Sequence, residues 1–266
     1  MKNKPKVSIA LRSYNQKDFL VECINTIVAQ SYSNIEIIIA DDASNDGSQK
    51  LIKKYQQKYP NKIKAIFQNE NIGHTKNLNI ALKACTGEYI SIFDGDDLMH
   101  AEKISKQVDY METHPNCIVC YHNTEFFDNE SGKLLYLRNN KDNAHCGNVS
   151  TMIKYGMFNT NIASMIRKSA IPLHGADERI SIASDWIFYV ECLMPGGTIE
   201  YIDQPLARVR RHSNNITQKK FLKNIIDQYL SSLLIMKKYP KFILHIFFRW
   251  FDGLRNMFFI TLLKKY

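Results

Sequence analysis

Two short acidic clusters carry the residue types and spacing for chemistry. Asp94-Gly95-Asp96-Asp97 places three carboxylates within four residues, directly after the apolar run Tyr89–Phe93. Carboxylates this close repel one another and are costly unless water or a cation neutralises them. Oxygen-rich sites of this kind suit Mg2+ or Mn2+, which commonly bridge protein carboxylates to phosphates. A polar turn capping a helix that starts near Ala101 accounts for the same residues. The second cluster, Asp41-Asp42, ends the continuous run Ile35–Ala40. A carboxylate there can accept a hydrogen bond from a ring N–H or a ribose hydroxyl. It can also cap the next helix, although Asp46 or Ser48 would serve as well and the second Asp is not needed for that.

The elements around these clusters must put them somewhere useful. Val7–Leu11 reads as a buried strand followed by a turn at Ser13-Tyr14-Asn15. Phe19 to Ala29 has helical spacing, with Leu20, Ile24, Ile27 and Val28 on one face. The Ile35–Ala40 run predicts a strand covered on both faces. A helix from about Gln49 to Tyr59, a strand at Ile63–Phe67, a helix from Thr75 to Ala84 and a strand at Tyr89–Phe93 follow. Strands alternating with helices predict an α/β fold with a mostly parallel sheet. Ligands bind outside the carboxyl ends of such strands, so both acidic loops are expected side by side on one rim. Beyond Glu102 the pattern predicts a helix over Ile104–Met111, a strand over Cys117–Phe127, a loop over Asp128–Asn148, a helix over Ser184–Leu193, and two strands, Thr198–Ile202 and Leu206–Arg210.

The composition excludes collagen-like, disordered and disulfide-stapled classes: hydrophobic residues are 45% and charged residues 23% of 266. The net charge of +9 is uneven. From Leu206 onward there are thirteen Lys and Arg against Asp227 and Asp252, which leaves 22 basic and 24 acidic residues in the rest. A basic tail rich in aromatics points to an anionic membrane surface rather than to nucleic acid. The six cysteines are scattered, several in apolar runs, and read as buried free thiols; Cys117 and Cys120 form a CxxC with no second pair to complete a zinc site. The apolar stretch after the N-terminal lysines is too short for a signal peptide and is broken by Arg12, and no segment reaches the uncharged length of a membrane span. The expected location is cytoplasmic, peripheral on the inner face of the cell membrane.

The ordered set of short segments resembles a family 2 glycosyltransferase of the GT-A fold. The matching pieces are Val7 to Asn15, Asp41 to Ser48, Asn71-Ile72-Gly73, Lys76-Asn77, Asp94-Gly95-Asp96-Asp97, Ser184-Asp185-Trp186 and Arg208 to Asn215. The resemblance implies a Rossmann-like central sheet flanked by helices, and a metal-dependent, inverting transfer from a nucleotide-sugar, of the UDP-sugar type, to a saccharide acceptor. A lipid-linked acceptor in surface polysaccharide or glycan assembly is the expected setting. It implies that Ala10, Ser13 and Tyr14 line the nucleoside pocket, that Asp42 holds the base and Asp41 supports the ribose, and that Lys76 and Gly95 belong to the donor site. Asp94 and Asp96, with His212, would hold Mn2+ or Mg2+, and Asp94 would also serve the donor. Asp185 would be the catalytic base; on position alone it caps an amphipathic helix. Two departures from the family pattern are Ser184, where Glu or Asp often precedes the base, and Asn79, where Gly is frequent.

The expected division is a catalytic domain over 1–217, with a nucleotide-sugar half over 1–100 and an acceptor half over 101–217, and a helical extension over 218–266. In the extension, apolar pairs recur every fourth residue from Phe221 to Leu234, which predicts one apolar face. Pro240 should break the helix. Beyond it Lys241, His245, Arg249, Asp252 and Arg255 form a polar stripe against bulky aromatics, the pattern of an interfacial helix. A helix packed on the protein's own body or on a partner explains the same spacing. From another class, a catalytically inactive sugar-nucleotide or partner-binding module competes, but the intact Asp94, Asp96 and Asp185 argue against it. A nucleotidyltransferase would carry a Gly-rich, Arg-containing phosphate loop near the start, and a processive synthase would carry membrane spans.

Overall fold

The structure is a computed structural model and describes residues 4–212 and 221–251. Ser213-Asn214-Asn215, the expected boundary at 217 and the tail beyond 251 lie outside the described residues. Strands β1 (Val7–Ser13), β2 (Ile35–Asp41), β3 (Ile63–Phe67) and β4 (Tyr89–Asp94) alternate with helices α1 (Lys17–Val28), α2 (Ser48–Lys58) and α3 (His74–Ala84). The short β5 (Leu98–Met99), α4 (Lys103–Thr113), β6 (Cys117–Asp128), β7 (Leu134–Leu137), α5 (Val149–Tyr155), β8 (Met165–Arg167), α6 (Asp185–Leu193) and β9 (Thr198–Arg211) complete the body. One sheet runs in the order β3-β2-β1-β4-β8-β6-β9-β5, with β7 paired to β6. The long ladders β1/β2, β1/β4, β2/β3 and β6/β9 are parallel, and the antiparallel pairings are short.

Alternation along the strands divides the core into two layers. Val7, Ile9, Leu11, Ile37 and Ile39 face α1 and α4, packing with Leu20, Ile24, Ile27 and Ile104. Ala10, Ile38, Ala40, Ile90 and Ile92 face the other way, towards α3 and α6, with Leu78, Trp186 and Val190. This is why β2 is apolar from Ile37 to Ala40, where both faces are covered.

Three expectations change. Part of the predicted loop Asp128–Asn148 forms β7, a hairpin partner of β6. All four of its residues are exposed, so no inside–outside alternation announced it. The two predicted strands after Thr198 are one strand, β9, whose ladder with β6 slips between His122 and Thr124, opposite Ile202 to Ala207. Pro205 sits in that slip, where it has no N–H to give a regular ladder.

The tail departs furthest from its pattern. Helix α7 (Phe221–Lys238) buries only part of the apolar face that the pairing predicts: Leu230 and Leu234 pack against the core. Asp227, Ser231 and Ile235 are buried against the body, while Leu222, Ile226, Tyr229 and Leu233 are exposed. Pro240 opens a 3-10 turn after which 243–251 is again helical, as a proline at a first turn allows. The polar stripe of that helix partly faces inward. The Arg249 guanidinium lies 4.4 Å from the Trp186 ring, in space left free by Gly156, where a Cβ would collide with it. Lys238 Nζ pairs with Glu191 Oε1 at 2.6 Å, and Ile235, Phe242 and Ile246 join the core layer of α6. Among the described residues no helix is long and apolar enough to cross a membrane.

Candidate active site

Strand register brings the two acidic clusters onto one rim. β1 lies between β2 and β4; Ser13 pairs with Asp41 on one side and Arg12 with Asp94 on the other. The chain then turns through Tyr14 and Asn15. Asn15 and Ala43 both adopt positive φ, 51° and 61°, and Asn45 N–H donates to Asn15 Oδ1 at 2.9 Å. A left-handed Ala costs about 1–2 kcal/mol, and strain of this kind clusters at binding loops.

Arg12, one of the residues the motif comparison left without a role, is central. Its side chain is buried, and its guanidinium holds Asp94 Oδ1 through Nε at 2.8 Å and Nη2 at 2.6 Å. Nη1 also donates to His74 Nε2 at the start of α3. Burial and the Arg12 charge push His74 down to about 3, so it is neutral. The sequence signal was available: a lone arginine in an otherwise apolar strand must find an anion.

Gly95 N–H returns to Arg12 O at 3.0 Å. A Cβ at Gly95 would sit 2.7 Å from Gln16 Oε1 and 3.1 Å from Arg12 O, so a larger residue would have to displace Gln16 and crowd the β1 backbone. Asp96 and His212 meet through Oδ2 and Nε2 at 3.1 Å, and Phe19 packs on the imidazole at 4.5 Å. Arg210 braces the loop from β9: its Nε donates to Asp96 O at 2.9 Å and its backbone N–H to Asp97 Oδ1 at 2.9 Å. Burial, then the charges of Asp96 and Asp94, push Asp97 well above the usual carboxylate range. Asp97 is therefore the structural member of the triad of carboxylates, and Asp94 and Asp96 are the two that face the rim. Among the described residues no three His, Cys, Asp or Glu side chains close on one point. A carboxylate and an imidazole side by side, with a second carboxylate two residues away, fit Mn2+ or Mg2+, which take one or two protein carboxylates and complete their shell with phosphates.

Asp185 begins α6, whose remaining residues are all buried. Trp186 Nε1 donates to Met152 O at 2.8 Å and pins the helix. Burial raises the Asp185 carboxyl; Arg12 and a hydrogen bond from Asn161 pull it back, and Asp94 adds to the rise. Asp185 and Asp94 thus both feel the Arg12 charge, Asp94 through a direct ion pair and Asp185 without one. Arg12→Met should raise the Asp185 pKa further, because it removes the cation and frees a like charge together. A carbon-detected NMR titration of the carboxyl groups reads this; an unmoved Asp185 midpoint would show that Arg12 does not reach it.

The other predicted donor residues are placed unequally. Tyr14 is exposed and Ser13 buried, with a hydroxyl that has no protein partner. Lys76 is exposed on the first turn of α3. Asp42 accepts from the Ile72 and Gly73 amides at 2.8 and 3.0 Å, and Asp41 accepts from Ser44 N at 2.9 Å and from Gln49 Nε2 at 3.1 Å. Both carboxylates therefore also shape their loops. Ala10 is not on the rim: it shares the face of β1 that carries Arg12, but lies three residues short of the carboxyl end at Ser13 and is fully buried in the α3/α6 core layer. The two departures have structural accounts. Asn79 ties down the segment before α6, accepting from Ala176 N at 2.7 Å and donating to Ala176 O at 2.9 Å. Ser184 is fully buried, its hydroxyl 3.1 Å from that of Thr75.

The family described as glycosyl transferase family 2 matches residues 8–171. A Mycobacterium tuberculosis relative, described as an uncharacterized protein, is 30% identical over 79% of this chain and 60% of its own length. EpsE of Bacillus subtilis, described as a putative glycosyltransferase, is 41% identical over 43% of this chain and 41% of its own. The chain thus spans about 60% of the length of the first of these relatives. Two solved structures share the fold. S. aureus TarS 1-349 in complex with UDP-GlcNAc has a TM-score of 0.68 at 17% identity, covering 87% of this chain and 66% of its own. A mannosyltransferase from Pyrobaculum calidifontis in complex with GDP-Man and Mn2+ has a TM-score of 0.67 at 15% identity, covering 89% and 65%.

Proposed function

The chain belongs to glycosyl transferase family 2 and has the GT-A fold, and from that premise we propose that it transfers a sugar from a nucleoside-diphosphate sugar to a saccharide acceptor in bacterial polysaccharide assembly. The observation that carries this reading is the acidic rim loop itself, with Asp94 held by Arg12 and Asp96 against His212, near enough to Asp185 for the Arg12 and Asp94 charges to act on its carboxyl. The nucleoside end of the donor lies over β1 and β2, against Tyr14, Ser13 and the Asp41-Asp42 loop. Its diphosphate points to Asp94, Asp96 and His212, with Lys76 adding charge. Asp94, Asp96 and His212 would hold a divalent cation, which neutralises the departing diphosphate.

Asp185 removes the proton from the acceptor hydroxyl, a poor nucleophile without it. The oxygen attacks the anomeric carbon while the bond to the diphosphate breaks on the opposite face, so the configuration inverts. The Arg12 charge favours the ionised form of Asp185 against the effect of burial, and its guanidinium holds Asp94 in place. UDP-GlcNAc and GDP-Man in the two structural neighbours make uridine and guanosine donors the first to try. Purified protein with Mn2+ should hydrolyse one member of a nucleotide-sugar panel slowly, water replacing the acceptor; no turnover of any member, with or without bacterial glycolipid extract, would overturn the reading.

The acceptor is lipid-linked in this proposal, and the outward faces of the tail helices meet the membrane. Leu244 and Phe251 are 76% and 70% exposed, and Lys223, Lys237 and Lys241 are exposed on the same elements. Arg249 is packed on Trp186 and is not part of that surface. Because deleting the helix would also strip Trp186, point changes are the cleaner probe. Leu244→Ser with Phe251→Ser should weaken co-sedimentation with anionic liposomes by about tenfold or more, and binding of both proteins should fall with salt. Equal sedimentation of the double variant and wild type would refute the anchor.

A further inference from the structure

We infer that Asp227, on the tail helix α7, is a positioning residue for the catalytic base; this rests on the reading of Asp185 as that base. Asp227 Oδ2 accepts from Ile182 N at 2.8 Å, from Ala183 N at 3.3 Å and from Ser181 Oγ at 3.3 Å. These are the residues that lead directly into Ser184 and Asp185. Asp227 is buried, on a helix whose neighbouring apolar residues Leu222 and Ile226 are left in solvent. A buried carboxylate turned towards the body in place of those side chains has a specific task, since burying it costs free energy unless its oxygens are satisfied.

The segment is held from the opposite side by α3. Thr75 Oγ1 donates to Ile180 O at 2.6 Å and lies 3.1 Å from Ser184 Oγ, and Asn79 clamps Ala176. The stretch from Ala176 to Ser184 is therefore suspended between a helix of the donor half and a helix of the tail. It contains no regular secondary structure of its own beyond turns, so its backbone amides at Ile182 and Ala183 depend on Asp227. Ser231 Oγ donates to Asp227 O at 2.8 Å, bonding the helix to itself at the same point. A displacement of α7 is thus passed by one carboxylate to the residues next to Asp185, and whatever covers the exposed face of α7 is coupled to the base.

The test uses the full chain, with UDP-sugar or GDP-sugar hydrolysis as the readout of the base and nucleotide affinity as the readout of the donor site. Asp227→Ala should speed hydrogen exchange across 180–184, lower turnover by about tenfold to a hundredfold as small misplacements of catalytic groups do, and leave nucleotide affinity unchanged. Asp227→Asn keeps a neutral acceptor oxygen and should fall between wild type and Asp227→Ala in both exchange and turnover. If Asp227→Ala does not fold, the comparison of wild type with Asp227→Asn carries the test. Faster exchange with wild-type turnover overturns the inference, as does a parallel loss of turnover and nucleotide affinity, which marks a general structural role. Asp185→Asn is measured alongside. Full turnover in Asp185→Asn removes the base reading and this inference with it; lost turnover there with wild-type behaviour of the Asp227 variants removes the inference alone.

Discussion

Asp96→Asn is expected to lower nucleotide-sugar turnover by about a hundredfold to a thousandfold, the scale of removing one group that stabilises charge in a transition state. The change takes a carboxylate from the set facing the diphosphate and leaves a neutral amide of the same shape. The fold should survive it. The Asp96 backbone oxygen keeps its bond from Arg210, and only the side-chain contact with His212 is altered. Asp97 is buried and its carboxyl is raised in part by the charge on Asp96, so neutralising Asp96 relieves that repulsion and thermal stability should hold or rise. The variant should also need more Mn2+ for half-maximal rate. Wild-type turnover in excess chelator would remove the metal from the mechanism.

Asp185→Asn should lower turnover by about a hundredfold to ten-thousandfold, the usual range for a general base, with nucleotide affinity near normal because the base acts on the acceptor. Burial raises the Asp185 carboxyl in the folded protein. The folded state therefore holds its proton to higher pH than the unfolded chain. Between the unfolded and folded pKa values the native state binds more protons, so this residue's contribution to stability falls as pH rises. At neutral pH the ionised carboxylate opposes folding, and Asp185→Asn should be as stable as wild type or more so. The turnover of the wild type should fall as pH drops through the raised pKa, and this limb should vanish with Asp185→Asn. Loss of nucleotide affinity together with turnover would make Asp185 a binding residue.

These two carboxylates were legible as residues, but their setting was not. Asp94-Gly95-Asp96-Asp97 after an apolar strand announced a charged rim. Which of the three acidic groups faces it depended on β9, whose backbone takes up Asp97 at Arg210 from more than a hundred residues away. Arg12 was visible as a cation inside a strand, but its partners come from β4 and α3: strand register brings Asp94 to it, and the packing of α3 on the sheet brings His74. Ala10 shows the converse. A matched segment assigned it to a pocket, and its depth along β1, three residues before the strand end, put it in the core.

What the sequence by itself determined is the α/β alternation, the position of both acidic loops at strand ends and the ordered motifs of the family. Those features are local: hydrophobic period, run length and turn chemistry fall within windows of about ten residues. The exposed β7, the continuity of β9 through Pro205 and the inward face of the tail were decided by tertiary structure. In α7 the every-fourth-residue apolar pattern marked a helix correctly but only part of the side that packs: Leu230 and Leu234 reach the core, and their pair partners Tyr229 and Leu233 do not. Periodicity records which residues share a face; it does not record what that face meets. The loop before Asp185 needed a buried acceptor for its amides, so Asp227 turned inward and Leu222, Ile226 and Tyr229 were left outside.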